Sequence, residues 1–282
     1  MTHSRSDVQR LLGDHGLAPS RALGQNFVVD PNTVRRIVRL AGVAAGTPVV
    51  EIGAGLGSLT LALSDAGAPV VAVEVDRGLV PVLREVVAGR DVRVVEADAL
   101  ELDWAALLGP PGAGSVPWTL VANLPYNVAT PVVVSVLERA PQVASALVMV
   151  QREVGERLAA AAGAAAYGAV SVKVAYWARA RVVGRVPPTV FVPRPKVESA
   201  LVRIDRRPAP AVDPATVPYD RLFAVVRAGF AHRRKMLRRS LAGVVGPGAF
   251  AGAGVAPDAR AEDLDVAAWG RLAAWPAPGE GG

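Results

Sequence analysis

The feature that most constrains the fold is a series of five short apolar runs, separated by helical or turn-forming stretches. The runs are rich in β-branched residues and poor in charge, which is typical of strands buried on both faces of a parallel sheet. Strands joined by helices of this length predict a doubly wound, mostly parallel α/β sheet with right-handed crossovers. The runs are TPVVEIG (47–53), APVVAVEVD (68–76), VRVVEAD (92–98), WTLVANL (118–124) and SALVMVQ (145–151).

The pattern changes after the fifth run. Residues 169–204 alternate like antiparallel strands added at the edge of a sheet. A proline-rich linker follows at 206–218, and the chain then becomes helical again. We therefore expect a large domain over 1–205, with a helical extension over about 1–45. A small helical domain is expected over 219–282.

Composition excludes several classes of protein. The chain has 282 residues, 51% of them hydrophobic and 20% charged, which is enough apolar material for a substantial core. It contains no cysteine, so disulfides, thiolate metal sites and cysteine nucleophiles are excluded. The N-terminus lacks the apolar centre of a signal peptide, and no apolar run reaches the ~18 residues of a membrane span. These observations predict a cytoplasmic protein without a membrane partner, and a monomer by default.

The charge balance predicts a polyanionic partner. The net charge is +6 and the pI is about 10.3, and a basic surface attracts phosphate over long distances. Residues 221–239, which we expect to form one helix, contain seven basic side chains and no acidic one, whereas a purely solvated helix face normally mixes both signs. The seven are Arg221, Arg227, Arg233, Arg234, Lys235, Arg238 and Arg239. The three histidines are too scattered for a metal site, so no metal is expected.

The first chemical motif is VVEIGAGLGSLT, a glycine-rich turn between a strand and a helix. Such a turn lets the backbone approach a ligand and directs helix N–H groups towards it. Gly53 and Gly55 match the first two glycines of the dinucleotide-binding spacing G-x-G-x-x-G, but the third glycine position is occupied by Ser58. Glu51 precedes Gly53 and Gly55, and its charge suits a cation better than a pyrophosphate. The pattern favours S-adenosylmethionine, which carries a sulfonium and an ammonium group.

Two further carboxylates end the next strands. Glu74 lies about 20 residues beyond the glycines, where this fold places an acid that binds the two hydroxyls of a ribose. Asp98 ends the third strand and could accept a hydrogen bond from an adenine amine, with the Ala99 amide facing a ring nitrogen. The alternative is that the glycines form only a tight turn and the two acids only cap helices. Their register at successive strand ends favours a cofactor site.

The stretch NLPYN (123–127) follows the fourth strand at the carboxyl edge of the sheet, where open α/β sheets bind ligands. Pro125 restricts Leu124 to an extended conformation that can turn the Leu124 carbonyl outward. With the Asn123 side-chain oxygen, that carbonyl would give two acceptors for an amine, and Tyr126 offers a face on which a base can stack. The motif predicts amino methylation, although such a turn also occurs in ordinary loops.

Five motifs in order resemble the rRNA adenine dimethyltransferases, over residues 20 to 245, and are most similar to the bacterial enzymes that act on 16S rRNA. They are GQNFVVD (24–30), EIGAGLG (51–57), NLPYN (123–127), FVPRPKVES (191–199) and FAHRRKMLRRSL (230–241). The resemblance implies a class I S-adenosylmethionine-dependent methyltransferase with a Rossmann-like domain and a C-terminal helical domain that binds RNA. It also implies that Phe191 packs against the target adenine.

The resemblance further implies cofactor binding by Asn26, Val28, Gly53, Glu74, Asp98 and Asn123, and methyl transfer at Asn123, Leu124, Pro125 and Tyr126. Val28 replaces the family's usual leucine, and His232 and Met236 replace its commonest glutamine and threonine. RNA binding is expected from Arg227, Arg233, Arg234, Lys235 and Arg238.

The expected activity is N6,N6-dimethylation of two adjacent adenosines in the 3′-terminal hairpin loop of 16S rRNA within an immature small subunit, with S-adenosylhomocysteine as product. One alternative is a 23S rRNA adenine methylase that confers macrolide-type resistance. Another is a ribosome-assembly factor that acts mainly by binding. A nicotinamide-dependent dehydrogenase is disfavoured by the glycine spacing and by Glu51.

Overall fold

The computed structural model of the protein describes residues 2–20, 22–112, 116–232, 235–246 and 248–275. The chain divides into two compact units. The first contains residues 1–155 and 181–205, and the second contains 156–180 and 206–282. This division differs from the predicted domains because 156–180 belongs with the C-terminal residues rather than with the large domain.

The first unit contains most of a seven-stranded sheet with the strand order β4-β3-β2-β5-β6-β9-β7. Neighbouring strands from β4 to β6 pair in parallel, and β9 pairs antiparallel to β6. The five predicted runs form the five parallel strands. The strands are β2 (Val49–Ile52), β3 (Val70–Glu74), β4 (Val92–Glu96), β5 (Trp118–Asn123), β6 (Val143–Gln151), β7 (Ala178–Val186) and β9 (Ser199–Arg206).

A separate two-stranded ribbon joins distant parts of the chain. Strand β1 (Phe27–Val28) pairs antiparallel with β8 (Phe191–Val192), and Val28 lies opposite Phe191. The two strands are too short to give a readable alternation, so the sequence does not predict them. The ribbon fixes the GQNFVVD segment beside the FVPRPKVES segment.

Helices connect the strands of the first unit. Helix α2 begins after Asp30, whose carboxylate accepts hydrogen bonds from the Asn32 and Thr33 N–H groups, and ends at Gly42 in the left-handed region. Its residues Val34, Ile37 and Val38 are buried, as expected for one apolar face. The helices are α1 (Arg5–Asp14), α2 (Pro31–Ala41), α3 (Ser58–Asp65), α4 (Leu79–Val86), α5 (Trp104–Leu108), α6 (Ala129–Arg139) and α7 (Arg152–Leu158).

The second unit packs its helices around a core that includes Trp269. A Cβ at Gly229 would lie 2.4 Å from Cη2 of that indole, so the close packing of α9 and α12 requires glycine there. The helices are α8 (Ala169–Trp177), α9 (Tyr219–Ala231), α10 (Leu237–Ser240), α11 (Ala249–Ala253) and α12 (Val266–Ala273), with short 3₁₀ turns at Pro188–Val190 and Ala261–Asp263 in the chain.

Two local predictions are wrong. Residues 169–177 form helix α8 rather than a strand; Ser171, Val172, Val174 and Tyr176 are all buried, and this spacing hides the helical period. The basic stretch 221–239 is not one helix, because α9 ends at Ala231 and α10 begins at Leu237. No helix among the described residues has the length and apolar character needed to cross a membrane.

Candidate active site

One pocket collects almost all the catalytic and cofactor-binding residues that the sequence predicts. It lies at the carboxyl ends of β2, β3 and β5, the edge at which open parallel sheets bind ligands. The N-terminal extension contributes Val8 to its wall. The predicted residues that line it are Asn26, Val28, Glu51, Gly53, Gly55, Glu74, Asp98, Ala99, Asn123, Leu124, Pro125 and Tyr126.

The glycine-rich turn follows β2 and forms the floor of the pocket. Gly53 and Gly55 have φ values of 72° and 58°, in the left-handed region that favours glycine. At Gly55 space is also limiting, because a Cβ would lie 3.1 Å from Cε1 of Phe27. A side chain at this position would strain the backbone and push against the β1–β8 ribbon.

Glu74 holds the glycine turn in place. Its Oε2 accepts a hydrogen bond from the Gly55 N–H (2.7 Å), and its Oε1 accepts bonds from the Val75 and Asp76 N–H groups (2.9 Å each). Burial raises the pKa of this carboxyl, although the three N–H donors favour its ionised form. Glu74 therefore shapes the site through the backbone, a role that spacing alone does not reveal.

Glu51 lies deeper, at 1% exposure, and its Oε2 accepts a hydrogen bond from the Thr60 hydroxyl (2.6 Å). Burial raises the pKa of Glu51 to about 8, with a smaller contribution from the nearby charge of Glu74. From the sequence alone, Glu51 is expected to be charged. In the absence of a bound cation, however, the Glu51 carboxyl is protonated in most molecules at pH 7.

Asp98 and Ala99 line the pocket beyond β4. Asp98 is exposed, and its Oδ1 accepts a hydrogen bond from the Leu100 N–H (2.8 Å). The side chain therefore closes a local turn, but it does not cap the next helix, α5, whose N-cap is Asp103. A carboxylate has acceptor sites on both oxygens, so this bond is compatible with a second one to a ligand amine.

Ser58 is a pocket residue that the sequence analysis does not select. Its Oγ is buried, lines the pocket at the first residue of α3 and has no hydrogen-bond partner among the described residues. A buried hydroxyl normally has a partner, and the N-terminus of a helix favours negative charge. The site thus offers acidic groups for a cation and a donor for a carboxylate, a combination that fits S-adenosylmethionine.

The NLPYN motif is tied to the N-terminal segment. Asn123 Nδ2 donates to the Asn26 carbonyl (2.9 Å), so the amide nitrogen is used and Oδ1 is the atom left to accept from a ligand. Asn127 Nδ2 donates to the Ala22 carbonyl (3.2 Å). The Leu124 N–H donates to the Met149 carbonyl of β6 (3.0 Å), which fixes the motif to the sheet.

Tyr126 is held by a second residue that the sequence does not single out. Its hydroxyl lies 2.9 Å from the Oγ of Ser199, the fully buried first residue of β9. Either oxygen can be the donor. Because Ser199 ends the FVPRPKVES motif, this contact joins two motifs that are 73 residues apart.

The structure does not bring Phe191 to the pocket, contrary to the prediction that it packs against the target adenine. Its side chain is 0% exposed and belongs to the core cluster that also contains Val28, Leu201 and Met149. The pairing of β8 with β1 turns the ring into this core. In this structure Phe191 is a core aromatic that supports the ribbon.

The predicted RNA-binding residues lie in the second unit. Arg227, Lys235 and Arg238 are exposed, whereas Arg233 and Arg234 fall outside the described residues. Arg221 has a structural role, because its guanidinium donates to the carbonyls of Ala273, Val244 and Trp275. Among the described residues, no group of three or more His, Cys, Asp or Glu side chains could hold a metal ion.

Solved structures share this architecture. The chain is similar to 23S rRNA methyltransferase ErmE, with a TM-score of 0.67 and 28% identity, over 88% of this chain and 98% of that one. It is also similar to a dimethyladenosine transferase from Plasmodium falciparum, with a TM-score of 0.69 over 87% of this chain and 95% of that one. The identity there is 20%, so this likeness supports the fold alone. The prediction of a Rossmann-like methyltransferase fold is confirmed.

Curated relatives are closer in sequence. Ribosomal RNA small subunit methyltransferase A of Kineococcus radiotolerans is 50% identical over 281 residues, which cover 96% of this chain and 90% of the relative. The protein of the same name from Leifsonia xyli is 50% identical over 276 residues, or 92% and 93% of the two chains. The family model described as ribosomal RNA adenine dimethylase matches residues 19–277. The chain therefore belongs to the ribosomal RNA adenine dimethylase family.

Proposed function

We propose that this protein transfers methyl groups from S-adenosylmethionine to N6 of two adjacent adenosines in the 3′-terminal hairpin loop of 16S rRNA. Its place of action is an immature small ribosomal subunit in the cytoplasm, and it acts as a monomer. The relatives at 50% identity bear a small-subunit name. That identity favours the small subunit over the 23S rRNA named for the structural neighbour at 28%.

The observation that carries the proposal is the state of Asn123. Its nitrogen is engaged by the Asn26 carbonyl, and its oxygen is the remaining acceptor at the edge of a pocket that fits the cofactor. An exocyclic adenine amine conjugated with its ring is a poor nucleophile. Acceptors that draw its protons out of the ring plane localise the lone pair and prepare it for attack.

The remaining residues position the two reactants. S-adenosylmethionine supplies an electrophilic methyl group when it is bound. Glu51 and Ser58 would hold the amino-acid end, Glu74 the ribose, and Asp98 with Ala99 the adenine ring. Tyr126 would stack on the target base after the nucleotide leaves its RNA loop.

The chain needs no dedicated general base for this reaction. The target nitrogen becomes acidic once it carries the new methyl group, and its proton can then pass to water. The rate enhancement comes from orientation and from the acceptors around Asn123. For a second transfer, the monomethylamine must rotate within the same pocket.

The test is transfer of labelled methyl from S-adenosylmethionine to isolated small and large ribosomal subunits that lack adenosine dimethylation. We expect label in small subunits only, and a loss of at least about 100-fold in kcat for Asn123→Ala. Label in large subunits alone would make the protein a 23S rRNA methylase. An Asn123→Ala variant that restores subunit assembly in a deletion strain would show that binding carries the biological role.

A further inference from the structure

A second group of basic residues lies on the first unit and is separate in sequence from the basic stretch 221–239. It consists of two groups of arginines far apart in the sequence, and we call it the arginine surface. Its members are Arg35, Arg36 and Arg39 of α2, and Arg181 and Arg185 of the edge strand β7.

One contact brings the two groups together. Arg36 donates from its guanidinium to the Arg185 carbonyl (3.0 Å), and a Cβ at Gly184 would lie 2.2 Å from the Arg36 guanidinium. Glycine at 184 therefore lets the guanidinium lie flat on the edge strand. At the far end of α2, Arg203 of the neighbouring strand β9 donates to the Ala41 carbonyl (2.7 Å), so the helix is held to the last two strands of the sheet, β9 and β7.

The charge of this surface is poorly balanced. Neither α2 nor residues 181–192 contains an acidic residue. Asp205 lies 4.0 Å from Arg181, which is 70% exposed. The other neighbouring carboxylate is Asp30, which caps α2 and interacts with Arg35. Five arginines against these two carboxylates leave an excess of three positive charges, in a chain whose net charge is +6.

Protection of a sheet edge explains only part of this arrangement. Exposed basic residues on an edge strand prevent pairing with other chains, and Arg36 covers a carbonyl of that edge. Arg35 and Arg39, however, lie four residues apart on the exposed face of α2, opposite its buried residues. Edge protection does not require two more cations on the outer face of a helix.

The spacing suits a phosphate backbone. Arg181 and Arg185 lie on the same face of β7, about 13 Å apart along the strand. Arg35 and Arg39 are about 6 Å apart along α2. Guanidinium groups bind phosphate oxygens with paired N–H donors, so the surface can contact two or three phosphates of one strand.

The surface also begins next to the pocket. Val28 lines the pocket and α2 starts three residues later, at Pro31. On the other side, β7 leads through a 3₁₀ turn to Phe191, which pairs with Val28. The two groups of arginines thus extend from the same short ribbon that forms one wall of the site.

We infer that the arginine surface binds the phosphodiester backbone of the substrate RNA beside the extruded adenosine, as a contact separate from the basic residues of the C-terminal helices. This inference rests on the proposed function for the identity of the RNA. In this arrangement the exposed arginines of the first unit contact phosphates separately from the basic residues of the C-terminal helices.

The test compares two triple variants of the full chain. Arg35→Gln/Arg39→Gln/Arg185→Gln removes three charges of the surface but keeps Arg36 and its contact with the edge. The control Arg10→Gln/Arg77→Gln/Arg84→Gln removes three exposed charges elsewhere on the same unit. The probes are the 3′-terminal hairpin RNA of 16S rRNA with its flanking strand and a large-subunit RNA of equal length. Dissociation constants are measured from 0.05 to about 0.3 M salt.

For the surface variant we expect at least a tenfold weaker binding of the hairpin at low salt, and a slope of log K against log salt that is smaller by about two. Cofactor affinity should not change. Equal slopes for the surface variant and the control would overturn the inference. If the wild type methylates neither RNA but the two variants still differ in slope, the proposed substrate fails and the surface stands.

Discussion

The buried acids of the pocket, Glu51 and Glu74, and the exposed arginine surface place ionisable groups in opposite environments of the same protein. Glu51 and Glu74 are 1% and 5% exposed and are bound by neighbouring donors, so their effect depends on geometry over a few ångströms. The arginines are mostly exposed and act through charge over a Debye length of about 10 Å. The buried acids thus select the cofactor's chemistry, whereas the exposed bases bring a large polyanion to the protein and respond to salt.

The largest expected effect concerns the pH dependence of stability. Because burial raises the pKa of Glu51 to about 8, the folded protein keeps a proton there that the unfolded chain loses near pH 4.5. The free energy of unfolding should therefore fall as pH rises through this interval, by roughly 5 kcal/mol, and level off above about pH 8.

Denaturant titrations of the wild type and Glu51→Gln between pH 5 and 9 measure this effect. The amide can still accept the Thr60 hydroxyl but does not ionise, so the variant should lack this part of the pH dependence. Cofactor affinity of the wild type should rise over the same interval, since a cation favours the ionised carboxylate. A wild type and variant with the same pH dependence would show that Glu51 titrates normally.

Glu74→Gln should weaken cofactor binding by about 100-fold, because an NH₂ group would face backbone N–H donors that now share a carboxylate. Glu96→Gln is a matched control, since Glu96 pairs with Glu74 in the sheet register but is exposed. Isothermal titration calorimetry with S-adenosylmethionine measures the cofactor affinity of both variants. RNA affinity should not change in either variant. A loss of both cofactor and RNA affinity in Glu74→Gln would contradict a role of Glu74 in cofactor binding alone.

The triple variant Arg233→Ala/Arg234→Ala/Lys235→Ala should weaken RNA binding by more than about tenfold at low salt and by much less at high salt. Cofactor affinity should stay within about twofold of the wild type. Fluorescence anisotropy with labelled hairpin RNA measures the RNA affinity, and calorimetry measures the cofactor affinity. An equal loss of both affinities would contradict separate roles for the two regions.

The smallest expected effect tests Ser199 as a residue that positions Tyr126. Ser199→Ala and Tyr126→Phe each remove one side of the same hydrogen bond, so each should lower kcat by about threefold to fivefold. The double variant should be no worse than either single one, and the KM for S-adenosylmethionine should not change. Additive losses would show that Ser199 acts independently of the Tyr126 hydroxyl.

The sequence predicts the parallel sheet well because its strands carry strong local signals. The runs from 47–53 to 145–151 are apolar and β-branched, and each becomes a strand of the sheet. The edge strand β4 is half-buried to exposed rather than buried on both faces. Helix α8 is missed because residues buried on several faces, such as Val172, Val174 and Tyr176, give no clear period. The β1–β8 ribbon is missed because its pairing joins residues more than 160 positions apart.

The residues of the site are likewise predictable only where the sequence carries a local signal. Glycines and acids at strand ends are readable because the fold fixes where strand ends meet. The partners that orient them are not readable, since the Asn26 carbonyl and the Ser199 hydroxyl reach the motif only through tertiary contacts. Phe191 shows the converse error: the motif is present, but packing turns the ring into the core.

Position-resolved mass spectrometry tests most directly whether this pocket dimethylates adenosine in small-subunit rRNA. Small subunits that lack 3′-end dimethylation are incubated with the protein and S-adenosylmethionine, with large subunits in parallel, and the rRNA is digested and sequenced by mass. The account predicts N6,N6-dimethyladenosine at two adjacent positions of the 3′-terminal hairpin and nowhere in 23S rRNA. Modification of 23S rRNA alone, or of neither RNA, would contradict it.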